Sequence, residues 1–189
     1  MAAIPSDIET DTQPPMTIPF GHLLVGFGFL LVGAALGVWT ALGSGGGFAG
    51  VAQLHLLLVG WVCVTIMGAM TQFVPVWSGV TLHSRRLAVA QLLLVTVGLV
   101  GLVAAFLSTV WWLFVPAGLA LVAGLWTFVY NIARTLARLD SRDVTERHFA
   151  LALGFFALLA PLGLLLAVGL YHPIGAMLPV ARANIVEAH

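Results

Sequence analysis

The chain has 189 residues, of which 61% are hydrophobic and only 7% are charged. Seven basic residues balance seven acidic residues, so the formal net charge at pH 7 is zero. Soluble domains contain about 25% charged residues, and a mean hydropathy of +1.09 is too high for a chain that covers itself with a solvated surface. The composition therefore excludes an ordinary soluble domain, and with no basic patch in the sequence we expect no binding to nucleic acid.

The chain begins with 19 residues, MAAIPSDIETDTQPPMTIP, that are polar, acidic and contain proline. A secretory signal starts with a positively charged segment, so we expect residues 1–19 to form an exposed tail. Apolar runs of about 18 residues or more can cross a bilayer as helices. Residues 20–189 are therefore predicted to form one all-α transmembrane domain in the lipid bilayer. Its spans are expected at residues 23–42, 51–77, 87–107, 110–133 and 149–171, with the start of a sixth near residue 181.

The arginines are distributed unevenly between the two sides of the membrane. With five spans, six of the seven fall on the side of the N terminus and one, Arg182, on the other. The six are Arg85, Arg86, Arg134, Arg138, Arg142 and Arg147. Loops that contain an excess of Lys and Arg face the cytoplasm, which predicts a cytoplasmic N terminus. The loops are short, so sequential helices are expected to pack as antiparallel neighbours.

Glycine recurs inside the spans, for example at Gly26, Gly60 and Gly68. Glycine lets helix backbones approach closely in lipid, and we interpret these positions as packing sites. Pro161 removes one backbone hydrogen bond and is expected to kink the fifth span. Residues 134–148, RTLARLDSRDVTERH, mix both charges and are expected to form a solvated loop.

The six histidines are the main candidates for chemistry. Four of them, His22, His83, His148 and His172, lie near the ends of spans, where an interfacial role is the simplest interpretation. His55 differs, because it lies among leucines inside the second span. Ionisable residues within spans are rare, face the protein interior and often mark function. A neutral imidazole is also an axial ligand of haem iron.

An α-helical period of about 100° per residue predicts which side chains share the face of His55. Those within roughly 40° of it are Val59, Val62, Ile66, Ala69 and Phe73. This smooth apolar face would suit a flat macrocycle that lies along the helix below its ligand. The residues alone leave two interpretations open: His55 is a ligand, or it is a packed polar residue with a hydrogen-bond partner.

A weak internal repeat relates two histidine-led segments, HLLVGFGFLLVGAALG from His22 and HFALALGFFALLAPLG from His148. In each copy the histidine starts a helix, an outer loop follows, and a second histidine opens the next helix. That second histidine is His55 in the first copy and His189 in the second. Four helices separate the copies, so we expect His55 and His189 to lie at the same depth in the membrane.

This layout, with the stretch HLLLVGWVCVTIMGAMTQFVPVW that begins at His55, resembles the haem-copper oxidase subunit I superfamily. The likeness is strongest over residues 51–77 and is closest to divergent members near the nitric oxide reductase and C-type oxidase branches. By that resemblance, His55 would be an axial ligand of a low-spin haem, and His189 would occupy a position that binds copper or non-haem iron. The resemblance implies respiratory electron transport in the inner or plasma membrane of a prokaryote, with an electron donor or other respiratory subunits as partners.

The chain also departs from the family pattern. Family members have a twelve-helix core, whereas five spans and the start of a sixth are predicted here, and the helix that supplies the remaining haem ligands has no counterpart. We therefore expect an N-terminal portion of an oxidoreductase of the terminal oxidase or nitric oxide reductase type, inactive alone. The alternative is a cofactor-free membrane scaffold or assembly protein in which His55 is a structural interhelical hydrogen bonder. A small transporter is disfavoured, because the spans contain no Asp or Glu.

Overall fold

The protein is a bundle of long apolar helices in a computed structural model that describes residues 13–43, 45–108 and 110–171. Five helices are long and apolar enough to cross a membrane: α1 (Thr17–Ala41), α2 (Ala49–Ser78), α3 (Arg85–Ser108), α4 (Trp111–Leu136) and α5 (Val144–Tyr171). The described residues contain no strand. The predicted all-α, multi-pass membrane fold is confirmed, while the expected sixth span near residue 181 lies outside the described residues.

Each helix extends beyond its predicted apolar run at one end or at both ends, most clearly at the start of α5. The expected solvated loop is reduced to residues 137–143, because α5 begins at Val144. Asp143 Oδ1 accepts the backbone N–H groups of Thr145 and Glu146, and Glu146 Oε2 accepts the N–H of Asp143. This reciprocal capping box satisfies the first N–H groups of the helix. The expectation of a loop through residue 148 was therefore wrong.

Sequential helices pack against each other, and the contacts between α1 and α2 and between α3 and α4 are the most extensive. Helices α1 to α4 form the main group, since α2 also contacts α4 and α1 also contacts α3. Helix α5 lies beside α4. On the side of the N terminus, α5 also reaches α2, where Ser78 Oγ donates to Glu146 Oε1 at 3.1 Å.

Glycines account for the close approach of α1 and α2. A Cβ added at Gly26 would lie 2.9 Å from Thr65 Oγ1, and one at Gly33 would lie 2.9 Å from Leu57 Cδ2. From the other helix, Gly68 packs directly against His22. Glycines of each helix thus lie against side chains of the other helix. At Gly26, Gly33 and Gly68 this confirms the interpretation that the glycines are packing sites.

Helix α2 contains a π-helical segment, Leu56–Cys63, that begins directly after His55. Gly60 lies at its centre, where an added Cβ would be 2.6 Å from Phe29 Cβ of α1 and 2.8 Å from Leu99 Cδ2 of α3. A π-helix bonds each amide to the carbonyl five residues earlier and therefore turns less per residue than an α-helix. A constant α-helical rotation per residue therefore does not relate the residues before Leu56–Cys63 to those after it.

Helix α5 continues through Pro161. Proline has no N–H, so it leaves the carbonyl four residues earlier, that of Ala157, without its helical donor. The indole Nε1 of Trp126 on α4 donates to the Ala157 oxygen at 3.1 Å. A neighbouring helix thus supplies the hydrogen bond that Pro161 removes, as polar groups in lipid require.

The short connection between α2 and α3 is fixed to α4 by hydrogen bonds. Helix α2 ends at Ser78 and is followed by Gly79, which has a left-handed φ of +62°. The fully buried Asn131 side chain on α4 accepts from the Ser84 N–H and donates to the Ser84 carbonyl, both at 2.9 Å. All charged side chains of the described residues lie at this end of the bundle, in or near the connections that follow α2 and α4.

Candidate functional site

An apolar cleft of about 430 Å³ lies between α2, α3, α4 and α5. It lies at the end of the bundle away from the charged residues, where α2 and α4 begin and α5 ends. The first part of α2 forms one wall and the second half of α5 forms the opposite wall. Of the described residues that line it, only His55 is titratable; the others, between residues 48 and 167, are apolar side chains and glycines.

The imidazole of His55 is held in one orientation on the wall of this cleft. Its Nδ1 lies 2.8 Å from the carbonyl oxygen of Val51, one turn earlier in the helix. A carbonyl can only accept, so Nδ1 has the proton, and the lone pair of the neutral ring is on Nε2. The ring also packs on Phe106 of α3, with centroids 5.3 Å apart.

An aromatic cluster closes the end of the cleft next to His55. Phe106 contacts Phe114 edge to face at a centroid distance of 4.9 Å, and Phe48 lies 5.9 Å from Phe106. Phe114 is only 1% exposed. These rings were not identified from the sequence, because they come from three separate segments of an aromatic-rich chain.

The predicted apolar face below His55 was correct only for its first residue. Val59 lines the cleft with His55. The other four members, Val62, Ile66, Ala69 and Phe73, are exposed on the outside of the bundle. The π-helical segment Leu56–Cys63, which contains Val59 and Val62, explains the difference, because the prediction assumed a constant α-helical rotation per residue.

Three helix histidines share the bond of Nδ1 to the carbonyl four residues earlier, but their surroundings differ. His148 is exposed at the start of α5, in agreement with an interfacial position. His22 is fully buried, so its predicted interfacial role was wrong. Only His55 presents its ring to the cleft. The shared bond is a local property of these helices, and the cleft is what distinguishes His55.

His22 belongs to a second buried polar centre that the sequence did not reveal. Its Nδ1 donates to the Ile18 carbonyl at 2.8 Å, so its Nε2 accepts from the side-chain amide of Gln91 at 3.3 Å. Gln91 is also fully buried, and its Oε1 has no hydrogen-bond partner within the described chain. In the sequence, a polar residue near the start of an apolar run looks like an interfacial residue. The contact between His22 and Gln91 joins positions 69 residues apart, so no local pattern predicts it.

The described residues do not form a site for copper or non-haem iron. No group of three or more His, Cys, Asp or Glu side chains lies close enough together there to hold a metal ion. His189, the predicted ligand at the sixth helix, lies outside the described residues, as does His172. The arrangement that remains for ligand chemistry is one oriented imidazole on an apolar cleft.

Comparison of the chain with protein-family models, with curated proteins and with solved structures gives no match. The geometry of the cleft and the sequence resemblance that begins at His55 are therefore the two indications of function.

Proposed function

We propose that this protein is a haem-binding membrane subunit of respiratory type, in which His55 is one axial ligand of the iron. The observation that supports the proposal most directly is that His55 is the single titratable side chain among the described residues that line the cleft, and that Val51 fixes its tautomer. Metal-binding histidines usually donate their other ring N–H to a carbonyl or carboxylate, which fixes the ring and raises its basicity.

The size and chemistry of the cleft agree with such a ligand. Its volume of about 430 Å³ falls in the range of roughly 300–1,000 Å³ that is typical of small-molecule sites. The walls are mainly Val, Leu, Phe and small residues, and these can pack on an apolar macrocycle and exclude water. Gly118 on α4 and Gly163 on α5 also line the cleft and add no side chain to it.

Haem, when bound, supplies one-electron redox chemistry, and an apolar environment is one of the factors that set its potential. In this chain His55 would hold the iron, Phe106 would support the imidazole, and the apolar walls would limit access of water. The proposal includes a cytoplasmic N terminus and a place in a prokaryotic cell membrane with an electron donor, as the arginine distribution and the resemblance imply. No step is assigned to copper or non-haem iron.

The proposal is tested with the full-length protein purified in detergent from membranes of cells supplied with a haem precursor. We expect a reduced-minus-oxidised visible spectrum with haem bands, and loss or a large shift of these bands in His55→Gly. Added imidazole should restore them in this variant, because it fills the space of the missing ring and supplies the same ligand.

His148→Gly is the matched control, since His148 has the same bond within its helix but is exposed. Its spectrum should equal that of the wild-type protein. Absence of haem bands in the wild-type protein would rule the proposal out. Bands that are unchanged in His55→Gly would remove His55 from the ligand role.

The second candidate is a cofactor-free scaffold or assembly protein in which His55 has a structural role. The hydrogen bond to Val51 and the ring contact with Phe106 favour it, because both would exist without a ligand. It predicts a wild-type protein without haem bands, together with lower thermal stability of His55→Gly in detergent.

A further inference from the structure

A second cavity, of about 210 Å³, lies between α4 and α5 at the end of the bundle that contains the charged residues. Its walls extend from residue 129 to 136 on α4 and from residue 150 to 157 on α5. Seven residues of an α-helix span about 10 Å, so the cavity is a groove about two turns long. Its floor includes Leu136 and Leu153, which are 1% and 5% exposed.

The groove is open to the lipid-facing surface of the bundle. Ala133 and Gly154 on its two rims are exposed. A Cβ added at Gly154 would meet no heavy atom within 4 Å, so the small residue leaves real space. The neighbouring Leu151, Phe155 and Leu158 are each at least 60% exposed, and they mark the surface that apolar spans present to a membrane.

Arg142 is the one charged residue that lines the groove. It lies in the connection between α4 and α5, at the level where the helices end, and its side chain is exposed. Within the described chain Arg142 has no hydrogen-bond or ion-pair partner, whereas Arg138 binds the carbonyl and hydroxyl oxygens of Thr81 at 2.9 Å. The Arg142 guanidinium is therefore available to an external anion.

We propose that this groove binds an anionic membrane phospholipid, with one acyl chain between α4 and α5 and the phosphate at Arg142. The apolar groove matches the chain of a lipid, and the guanidinium at its end matches the charge and planar geometry of a phosphate. A groove of about 210 Å³ is too narrow for another helix, whose diameter is about 10 Å or more. Anionic lipids are attracted to arginines near the membrane surface.

Trp126 provides a reporter for this site, because its indole donates to the carbonyl of Ala157, a residue of the groove. The full chain is reconstituted in phosphatidylcholine vesicles that contain increasing fractions of dibrominated phosphatidylglycerol or dibrominated phosphatidylcholine. Bromine quenches indole fluorescence on contact. The signal of Trp126 is obtained as the difference between the wild-type protein and Trp126→Phe.

We expect brominated phosphatidylglycerol to quench Trp126 at a mole fraction several-fold lower than brominated phosphatidylcholine does. Arg142→Gln should remove this preference, and Gly154→Leu should reduce quenching by both lipids, because its side chain fills the groove. Arg147→Gln is the matched control: it removes the same charge on the same side, outside the groove, and should retain the preference.

Equal quenching of the wild-type protein by the two lipids, or no quenching by either, would overturn the proposal. So would a loss of preference in Arg147→Gln equal to that in Arg142→Gln, since the effect would then come from general surface charge. Quenching in Gly154→Leu as strong as in the wild-type protein would place the lipid outside the groove. None of these outcomes depends on haem at His55.

Discussion

The histidines show how little a side chain's type says about its role before its surroundings are known. His22, His55 and His148 each bond Nδ1 to the carbonyl one turn earlier. One ring is buried against Gln91, one lines a cleft and one is exposed. His55 differs from the other two in the sequence because it lies well inside an apolar run. His22 is buried because α3 packs beside it, and no pattern in the sequence near His22 predicts that contact.

At Asp143, the start of α5 is expected to be sensitive to pH. Hydrogen bonding to Glu146, through its side chain and then its backbone N–H, lowers the pKa of the Asp143 carboxyl. A carboxyl whose pKa is lower in the folded state stabilises the fold above its ordinary pKa of about 3.9. That stabilisation is lost as the pH falls through the folded-state pKa.

We therefore expect the amides of Thr145 and Glu146 to lose protection from hydrogen exchange as the pH falls from about 5 to below the ordinary carboxyl pKa. Exchange rates corrected for intrinsic pH dependence measure this. Asp143→Asn retains a side-chain acceptor without a titrating charge, so its protection should vary less with pH. Identical profiles for both proteins would show that Asp143 does not control this helix end.

The hydrogen bond from Trp126 to Ala157 is expected to stabilise α5 at the position where Pro161 interrupts its backbone bonding. Trp126→Phe should lower the free energy of unfolding by about 1–2 kcal/mol, because a carbonyl in lipid loses its donor. In a Pro161→Ala background the loss should be smaller, since the introduced alanine supplies a backbone N–H to the same carbonyl. Unfolding in mixed micelles, followed by circular dichroism, measures both changes. Equal losses in the two backgrounds would mean that Trp126 acts through packing alone.

At the scale of the helices, the interface of α1 and α2 depends on small residues at defined points. A Cβ at Gly68 would collide with the Cβ of His22 and lie 3.0 Å from its Cγ. We expect Gly68→Ala to destabilise the protein by about 1–3 kcal/mol, the usual effect of overpacking. Thermal unfolding in detergent measures the change.

Gly28→Ala is the control for Gly68→Ala. Both substitutions add one methyl group to a transmembrane helix and gain the same helix propensity, but an added Cβ at Gly28 has no heavy atom within 4 Å. Its stability should equal or slightly exceed that of the wild-type protein. If Gly28→Ala lost as much stability as Gly68→Ala, the effect would come from the helix backbone and not from the interface.

The five described helices were predicted from the apolar runs, because a bilayer requires continuous apolar segments of fixed length. Their ends were not, since they depend on polar signals next to the runs. The pair Asp143 and Glu146 was such a signal, a D-x-x-E capping box before an apolar stretch. Hydropathy alone cannot detect it, because the same charged residues also suit a loop.

At the scale of the whole molecule, the cleft could not be predicted, although one of its residues was. Its walls come from four helices, and the residues that open it on α5, such as Ala160, Gly163 and Ala167, are common in any membrane span. Small residues show that close approach or empty space is possible. Only the arrangement of the helices decides which of the two occurs.

The π-helical segment, Leu56–Cys63, gives the second span two independent registers. The residues before it are aligned with the cleft, and those after it are aligned with α1 and the lipid. A chain one residue shorter in this segment could close its widened turns into an ordinary α-helix. The deletion would remove about 100° of helix rotation, and the tighter α-helical turns would restore about as much, so His55 would still face the cleft. The same residues wound as a continuous α-helix would instead turn His55 away from the cleft by about 100°. The orientation of the imidazole therefore depends on the winding of the segment that follows it, Leu56–Cys63.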